Sequence, residues 1–397
     1  MLDLRPSMLV IGAGMYVGGR GAGTDGTVLP TLMAAQSKGI LGDIKIAATR
    51  PDSIDALKLK LGDLNNRLGL SVDFEGYPKI QGVDPSSYKE ALAELQHPAC
   101  AIVVTPDHSH CSITSDVIKA GVHPLVVKPL TPTISEAQEL IRLIDQYQVY
   151  GAVEFHKRFD ETNLLLRQAL TDGKLGEVRY VTVEYSQKRM MKTVFESWVN
   201  RTNIFQYLGV HYVDLIYFLT RYKPIRCLAL GQPDNIDTDN SIGMLDSIQV
   251  IIEWEESSSG KKFISTIVTN WIDPDTTTAM SDQKITVVGT AGRYQLDQKN
   301  RGANLVTQLN GVEEINPYFS QIYRGPDGEL DIHGYGPRCI TQFILDVRNI
   351  VSGRSELNDL LTTRPSFQDC LPATAVIEAA NQSLELKGDW VMVQNYD

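Results

Sequence analysis

Four short runs near the start of the chain, Ser7–Ile11, Ile44–Thr49, Cys100–Thr105 and Leu125–Val127, do not alternate between apolar and polar residues. A strand with two apolar faces needs cover on both sides, which is the situation of a strand inside a parallel sheet. The segments between them supply that cover. Thr31–Lys38 has helical composition, while Ser86–Leu95 and Ser112–Ala120 open on serine and repeat apolar residues at helical spacing. Ser135–Gln148 begins with a serine cap and early acidic residues, and Val149–Phe155 offers a last strand. Strands alternating with helices in this order predict right-handed βαβ units and a doubly wound parallel sheet.

Past Asp160 the texture changes. Glu177–Tyr185, Ser247–Trp254, Lys262–Trp271 and Lys284–Gly289 alternate with period two, as strands of an antiparallel sheet with one covered face do. Helical spacing marks Glu161–Leu170, Asn203–Leu219, Thr341–Val351 and Cys370–Leu386, and Ser257–Lys262 has the composition of a hairpin tip. A chain of 397 residues is too long for one small core. Two domains are expected: 1–155, doubly wound α/β, and 156–397, α+β, with the C-terminal helix able to pack back on the first.

Composition narrows the function. With 43% hydrophobic and 21% charged residues and no apolar run of membrane length, the chain reads as a soluble globular protein. Met1–Ser7 lacks the basic flank of a signal peptide, so a cytoplasmic location is expected. A net charge of −11 without a visible basic patch argues against nucleic acid and for a small-molecule ligand. The five cysteines have no C-x-x-C spacing and read as reduced core thiols rather than a disulfide framework or zinc site. His108, His110 and Cys111 lack a matching distant pair, so no metal is expected.

The first strand runs into VIGAGMYVGGR, which places Gly12, Gly14 and Gly18 one residue wider than G-x-G-x-x-G. A side chain there would block the tight turn and keep backbone amides from a dinucleotide pyrophosphate, so Gly12, Gly14, Met15 and Tyr16 are candidate cofactor contacts. A glycine turn with no ligand is the other reading. Gly21, Gly23 and Gly26 repeat the regular spacing without a preceding strand, as an inserted loop ahead of the helix. At the end of the second strand stand Thr49 and Arg50 rather than an acidic residue. Arginine suits a 2′-phosphate and an acid suits a free ribose, so the pair favours NADP over NAD, unless Arg50 is only a charge on a solvated turn.

Several motifs then occur in series: TPDHSH (Thr105–His110), VKPL (Val127–Leu130), FHKRFD (Phe155–Asp160), KLGEVRYV (Lys174–Val181), GVHYVDL (Gly209–Leu215) and VVGTAGRYQLD (Val287–Asp297). In this order they resemble those of the Gfo/Idh/MocA oxidoreductases over the whole chain. The resemblance implies an N-terminal Rossmann domain and a C-terminal α+β domain with a large open, mainly antiparallel sheet. It also implies hydride transfer between a nicotinamide cofactor, NADP favoured and NAD the alternative, and a CH–OH or C=O group of a sugar, uronate or polyol.

On the same resemblance Lys128 is the catalytic lysine, preceding Pro129 in a cis peptide, and His211 the proton carrier. Thr105, Pro106, Asp107 and His110 border the nicotinamide ribose, and the chain forms a homodimer or homotetramer. Asp214 either orients His211 or packs nearby. Two departures stand out: Val127 replaces the family's glutamate before the lysine, and Tyr207 its aspartate four residues before the histidine. Tyr207 shares a helical face with His211 and either substitutes as a hydrogen-bonding group or packs. Lys157, Arg158, Trp198, Asn203, Tyr335 and Arg338 are candidate substrate contacts: cations suit a uronate and aromatic rings stack on a pyranose. The rival class is a sugar- or dinucleotide-sensing regulatory protein, to which the two lost carboxylates point.

Overall fold

A computed structural model describes residues 4–19, 24–233, 245–309 and 311–396. Gly21 and Gly23 of the second glycine cluster lie outside the described residues. Along the chain, β1 (Ser7–Ile11), α1 (Met15–Gly18), α2 (Val28–Ser37), β2 (Ile44–Ala47), α3 (Pro51–Leu68), β3 (Glu75–Tyr77) and α4 (Ser87–Ala93) come first. Next are β4 (Ala99–Val103), α5 (His110–Lys119), β5 (His123–Val127), α6 (Ile134–Tyr147) and β6 (Ala152–Glu154). Then follow α7 (Glu161–Thr171), β7 (Val178–Lys188), α8 (Met191–Val194), α9 (Val210–Thr220), β8 (Lys223–Pro233), β9 (Leu245–Glu255) and β10 (Lys262–Asp273). β11 (Ser281–Gly289), β12 (Arg293–Asp297) and the hairpins β13–β14 (Ala303–Thr307, Gly311–Ile315) and β15–β16 (Gln321–Arg324, Leu330–His333) lead to α10 (Tyr335–Val351). α11 (Leu357–Leu360), α12 (Leu371–Glu385) and β17 (Val391–Met392) complete the order.

The chain divides into two compact units. The first comprises Met1–Leu130, Ser135–Phe159 and Tyr318–Asp369, so it is not the continuous segment 1–155. Its sheet has the order β3-β2-β1-β4-β5-β6 with every ladder parallel. Residues of β1 and β4 are buried throughout, as consecutive apolar residues require. α10 rejoins this unit: Ile340, Phe343, Ile344 and Val347 share a core with Val10, Leu32 and Ile102. The C-terminal helix α12 belongs to the other unit. α3 opens on Pro51, whose missing N–H costs nothing at a helix start, and buries Ile54, Leu57, Leu61, Leu64 and Leu68 along one stripe.

The second unit comprises Thr131–Ile134, Asp160–Pro317 and Cys370–Asp397. Its sheet has the order β12-β11-β7-β10-β9-β8-β17. Phe263, Ser265, Ile267, Thr269 and Trp271 alternate inward along β10, the expected covered face. One ladder departs from the antiparallel expectation: β7 and β10 pair in parallel. Period two reports which face is buried and is blind to strand direction, so alternation alone does not reveal this pairing. Ser257–Lys262 forms the turn from β9 to β10, with Gly260 at φ +68°.

Asp160 is fully buried, caps α7 by accepting from the Thr162 amide at 3.1 Å, and pairs with Arg301 at 2.7 Å. The last residue of FHKRFD thus has a structural task in the second unit. None of the five cysteines forms a disulfide; four are buried and Cys111 is half-buried. Among the described residues no helix is long and apolar enough to cross a membrane.

Candidate active site

In the first unit the glycines of the first turn have separate reasons to be glycine. Gly12 sits at φ +119°, and a Cβ there would stand 2.0 Å from the Val104 carbonyl oxygen. A Cβ on Gly18 would meet Leu57 Cδ2 at 2.3 Å, so this glycine lets α3 approach. A Cβ on Gly14, by contrast, would meet nothing within 4 Å. Bare backbone facing open space beyond a parallel strand is what a dinucleotide phosphate needs, so the residues present fit such a cofactor. Met15 and Tyr16, both half-buried, begin α1. Thr49 and Arg50 are exposed past β2, with Arg50 as the residue before α3.

Past β4, Thr105 and Pro106 are half-buried, Asp107 is buried, and the chain enters a turn leading to α5. His110 is 1% exposed, with Nδ1 2.8 Å from the Pro129 oxygen and Nε2 2.8 Å from the Thr105 oxygen. Both ring nitrogens are thereby committed to main chain. His110 thus ties the turn after β4 to the chain after β5. Burial lowers its pKa, outweighing the pull of Asp107 and of the carbonyls.

Lys128 follows β5 immediately, and its bond to Pro129 is cis. Burial brings the Lys128 pKa down to about 8, with Glu154 and Asp107 acting in the opposite sense. Sequence reasoning passed over Glu154, the last residue of β6, although a carboxylate among the apolar residues of AVEF was the signal. It is 2% exposed, and its Oε1 accepts from the Tyr16 hydroxyl at 2.7 Å and faces His156 Nδ1 at 2.8 Å. The His156 ring stacks on Tyr335, centroids 5.3 Å apart, and Phe319 packs against both.

The remaining first-unit candidates fall into two groups. Lys157 and Arg158 are buried, and Arg158 is tied to Asp369 by a 2.5 Å ion pair that accounts for its guanidinium. Tyr335 is buried at the start of α10 against His156, whereas Arg338 is exposed one turn further along. The structure therefore gathers Tyr16, Asp107, His110, Lys128, Glu154 and His156 at the C-terminal edge of the parallel sheet.

In the second unit the predicted helix Asn203–Leu219 resolves into a π-helical turn, Phe205–Gly209, followed by α9. Such an i→i+5 turn widens the spacing locally and recurs at functional sites. His211 and Asp214 are buried in the first turn and a half of α9, 3% and 1% exposed. Tyr207 lies in the wide turn. Its ring meets Phe195, Trp198 and Trp271 edge-on at centroid distances of 5.1, 5.7 and 6.2 Å. Burial raises its pKa, partly countered by a hydrogen bond with Gln187. Trp198 is half-buried in the same cluster. Asn203 Nδ2 donates to Asn381 at 2.8 Å and its Oδ1 accepts from the Gln206 amide at 2.9 Å.

Comparison with known proteins gives the ancestry. Residues 70–155 match the oxidoreductase family with an NAD-binding Rossmann fold, and residues 164–295 match the GFO/IDH/MocA C-terminal domain. The chain belongs to the Gfo/Idh/MocA family. The matched segments begin after the glycine turn, so the case for Gly12 and Gly14 rests on their geometry.

Inositol 2-dehydrogenase of Rhizobium meliloti (strain 1021) is 25% identical over 176 residues, 44% of this chain and 51% of its own length. The scyllo-inositol 2-dehydrogenase (NADP(+)) IolW of Bacillus subtilis (strain 168) is 28% identical over 142 residues, 34% and 39% of the two chains. The matched stretches thus span about half or less of these curated relatives. The crystal structure of an inositol dehydrogenase homolog from Azotobacter vinelandii, complexed with NADH and myo-inositol, superposes with a TM-score of 0.71. It covers 98% of this chain and 97% of its own at 17% identity, which establishes the shared fold of a Rossmann unit and a sheet-based second unit.

Proposed function

We propose that the protein is an NAD(P)-dependent oxidoreductase that moves hydride between the nicotinamide and a CH–OH or C=O group of a polyol or sugar. The observation carrying this reading is the common edge of the parallel sheet. Gly14 faces open space after β1, and Lys128 and Glu154 follow and end the neighbouring strands β5 and β6. Ligands of doubly wound sheets bind beyond these strand ends. Relatives named as inositol dehydrogenases support a cyclic polyol as the first substrate to try.

When bound, the nicotinamide supplies the carbon that accepts or gives hydride. Gly12 and Gly14 would hold its phosphates by backbone, and Thr49 and Arg50 its adenosine ribose. The Lys128 ammonium would donate to the carbinol oxygen and stabilise the negative charge growing there during oxidation. In the second unit His211 is the candidate proton carrier, a task suited to an imidazole near neutral pH.

The test is turnover, followed by nicotinamide absorbance, across myo- and scyllo-inositol, aldoses and uronates with each cofactor. His211→Ala is expected to lower kcat on the accepted substrate by about 10²–10⁴-fold, the usual contribution of a general acid–base, with cofactor affinity little changed. Binding without turnover by the wild type would instead mark a sensor. Arg50→Ala should raise the KM for NADPH by about tenfold, roughly the worth of one charge-assisted contact, and leave that for NADH nearly unchanged. An unaltered preference removes Arg50 from cofactor selection.

A further inference from the structure

Glu154 is the most deeply buried carboxylate of the gathered edge and has no part in the mechanism above. The β5–β6 ladder sets its Cα opposite that of Val127, so it stands across the strand pair from the residue that precedes Lys128. Parallel neighbours run about 5 Å apart, which brings this carboxylate within electrostatic reach of the lysine. A buried carboxylate needs partners to stay ionised. Its Oε1 has the Tyr16 hydroxyl and His156 Nδ1, at 2.7 and 2.8 Å. A carboxylate can only accept, so His156 presents Nδ1–H. Tyr16 belongs to the glycine turn and His156 stacks on Tyr335 of α10. One oxygen therefore joins the cofactor turn, β6 and the start of α10.

We propose that Glu154 is a positioning residue of this site: it fixes Tyr16 and His156, and it is the counter-ion that keeps the Lys128 amine an ammonium. The inference rests on reading Lys128 as the group that faces substrate oxygen. The charged and titratable groups concerned come from several elements. Asp107, in the turn after β4, is another carboxylate acting on Lys128. His110 faces the Pro129 and Thr105 carbonyls, and Tyr335 and Cys339 of α10 face Tyr16. Burial opposes the lysine's charge and the two carboxylates favour it. Neutralising Glu154 removes one of the carboxylates that favour the charge, so the amine loses its proton at lower pH.

The experiment uses the full chain with Glu154→Gln, which keeps the shape and removes the charge, and Glu154→Asp, which keeps the charge. Lys128 is titrated directly by NMR on protein carrying ¹³C-labelled lysine, its signal assigned by loss in Lys128→Met. The expected result is a midpoint lowered by about one pH unit or more in Glu154→Gln, the usual effect of one nearby opposite charge, and held near the wild-type value in Glu154→Asp. The alkaline limb of kcat should move in step. A midpoint that stays put in Glu154→Gln overturns the proposal, as does an equal shift in both variants. Should Glu154→Gln not fold, Glu154→Ala titrated with and without formate replaces it, and the proposal fails unless formate raises the midpoint. A shifted midpoint in a protein whose wild type turns over no polyol or sugar would sink the oxidoreductase reading and leave the role of Glu154 intact.

Discussion

Lys128→Met is expected to lose about 10²–10³-fold in kcat, the range for removing one donor to a developing oxyanion, with the fold retained. Burial lowers the Lys128 pKa from 10.5 to about 8, so below pH 8 the folded protein carries an ammonium in a site that disfavours it. The unfolded chain holds that proton more tightly between the two values, and stability therefore rises as pH climbs from about 8 to about 10.5. Methionine fills similar space without charge and removes that cost, at most about 3.4 kcal/mol at 1.36 kcal/mol per pKa unit, but it leaves Glu154 and Asp107 without the cation that faces them, so the two effects oppose each other. Thermal unfolding at pH 7 and at pH 10 checks the sign: the wild type gains stability from this lysine over that range, and Lys128→Met lacks that gain. Turnover in the wild type should fall as pH rises through about 8, because the ammonium is the active form. A Lys128→Met protein that unfolds early would mark the lysine as structural, and one that keeps its turnover would remove it from the chemistry.

The strands of the first sheet were legible because burial on both faces leaves no polar alternation, and β1 lies where its apolar run places it. α3 was harder to read. Its N-cap, Arg50, makes no side-chain cap bond, and the polar face between its leucines hides the stripe. β3 and β12 are too short for a period to establish itself, and β8 carries Pro224 and a glycine. Lys128 and His211 stand out as candidates through motif order, whereas the partners of Glu154 do not show in the sequence. A carboxylate set among apolar residues signals burial but not its partners, and Tyr16 is 138 residues away in sequence. For the same reason the sequence does not show that Arg158 stands against Asp369 and Asn203 against Asn381.

The sharpest test of the glycine turn compares two substitutions that sequence alone treats as equivalent. Gly12→Ala should destabilise the fold by about 3 kcal/mol or more, since it combines a strained positive φ, which costs about 1–3 kcal/mol, with overpacking of similar size. The clash is with main chain: the added Cβ would lie 2.0 Å from the Val104 oxygen, and the Val104 amide bonds to the Ile11 carbonyl at 2.8 Å. Relief would have to come from separating β1 from β4 at the centre of the parallel sheet, where Val10 and Ile102 are fully buried. Gly14→Ala should do the reverse. At φ −77° alanine is at ease, and nothing lies within 4 Å of its methyl group, so the melting temperature should be unchanged. The space that methyl enters is the space assigned to the cofactor phosphates, and dinucleotide affinity should fall by about tenfold or more, the equivalent of about 1.4 kcal/mol. Denaturation curves and cofactor titrations on both variants separate the effects. If Gly14→Ala binds dinucleotide as the wild type does, the open space beside that residue belongs to solvent and the cofactor lies elsewhere.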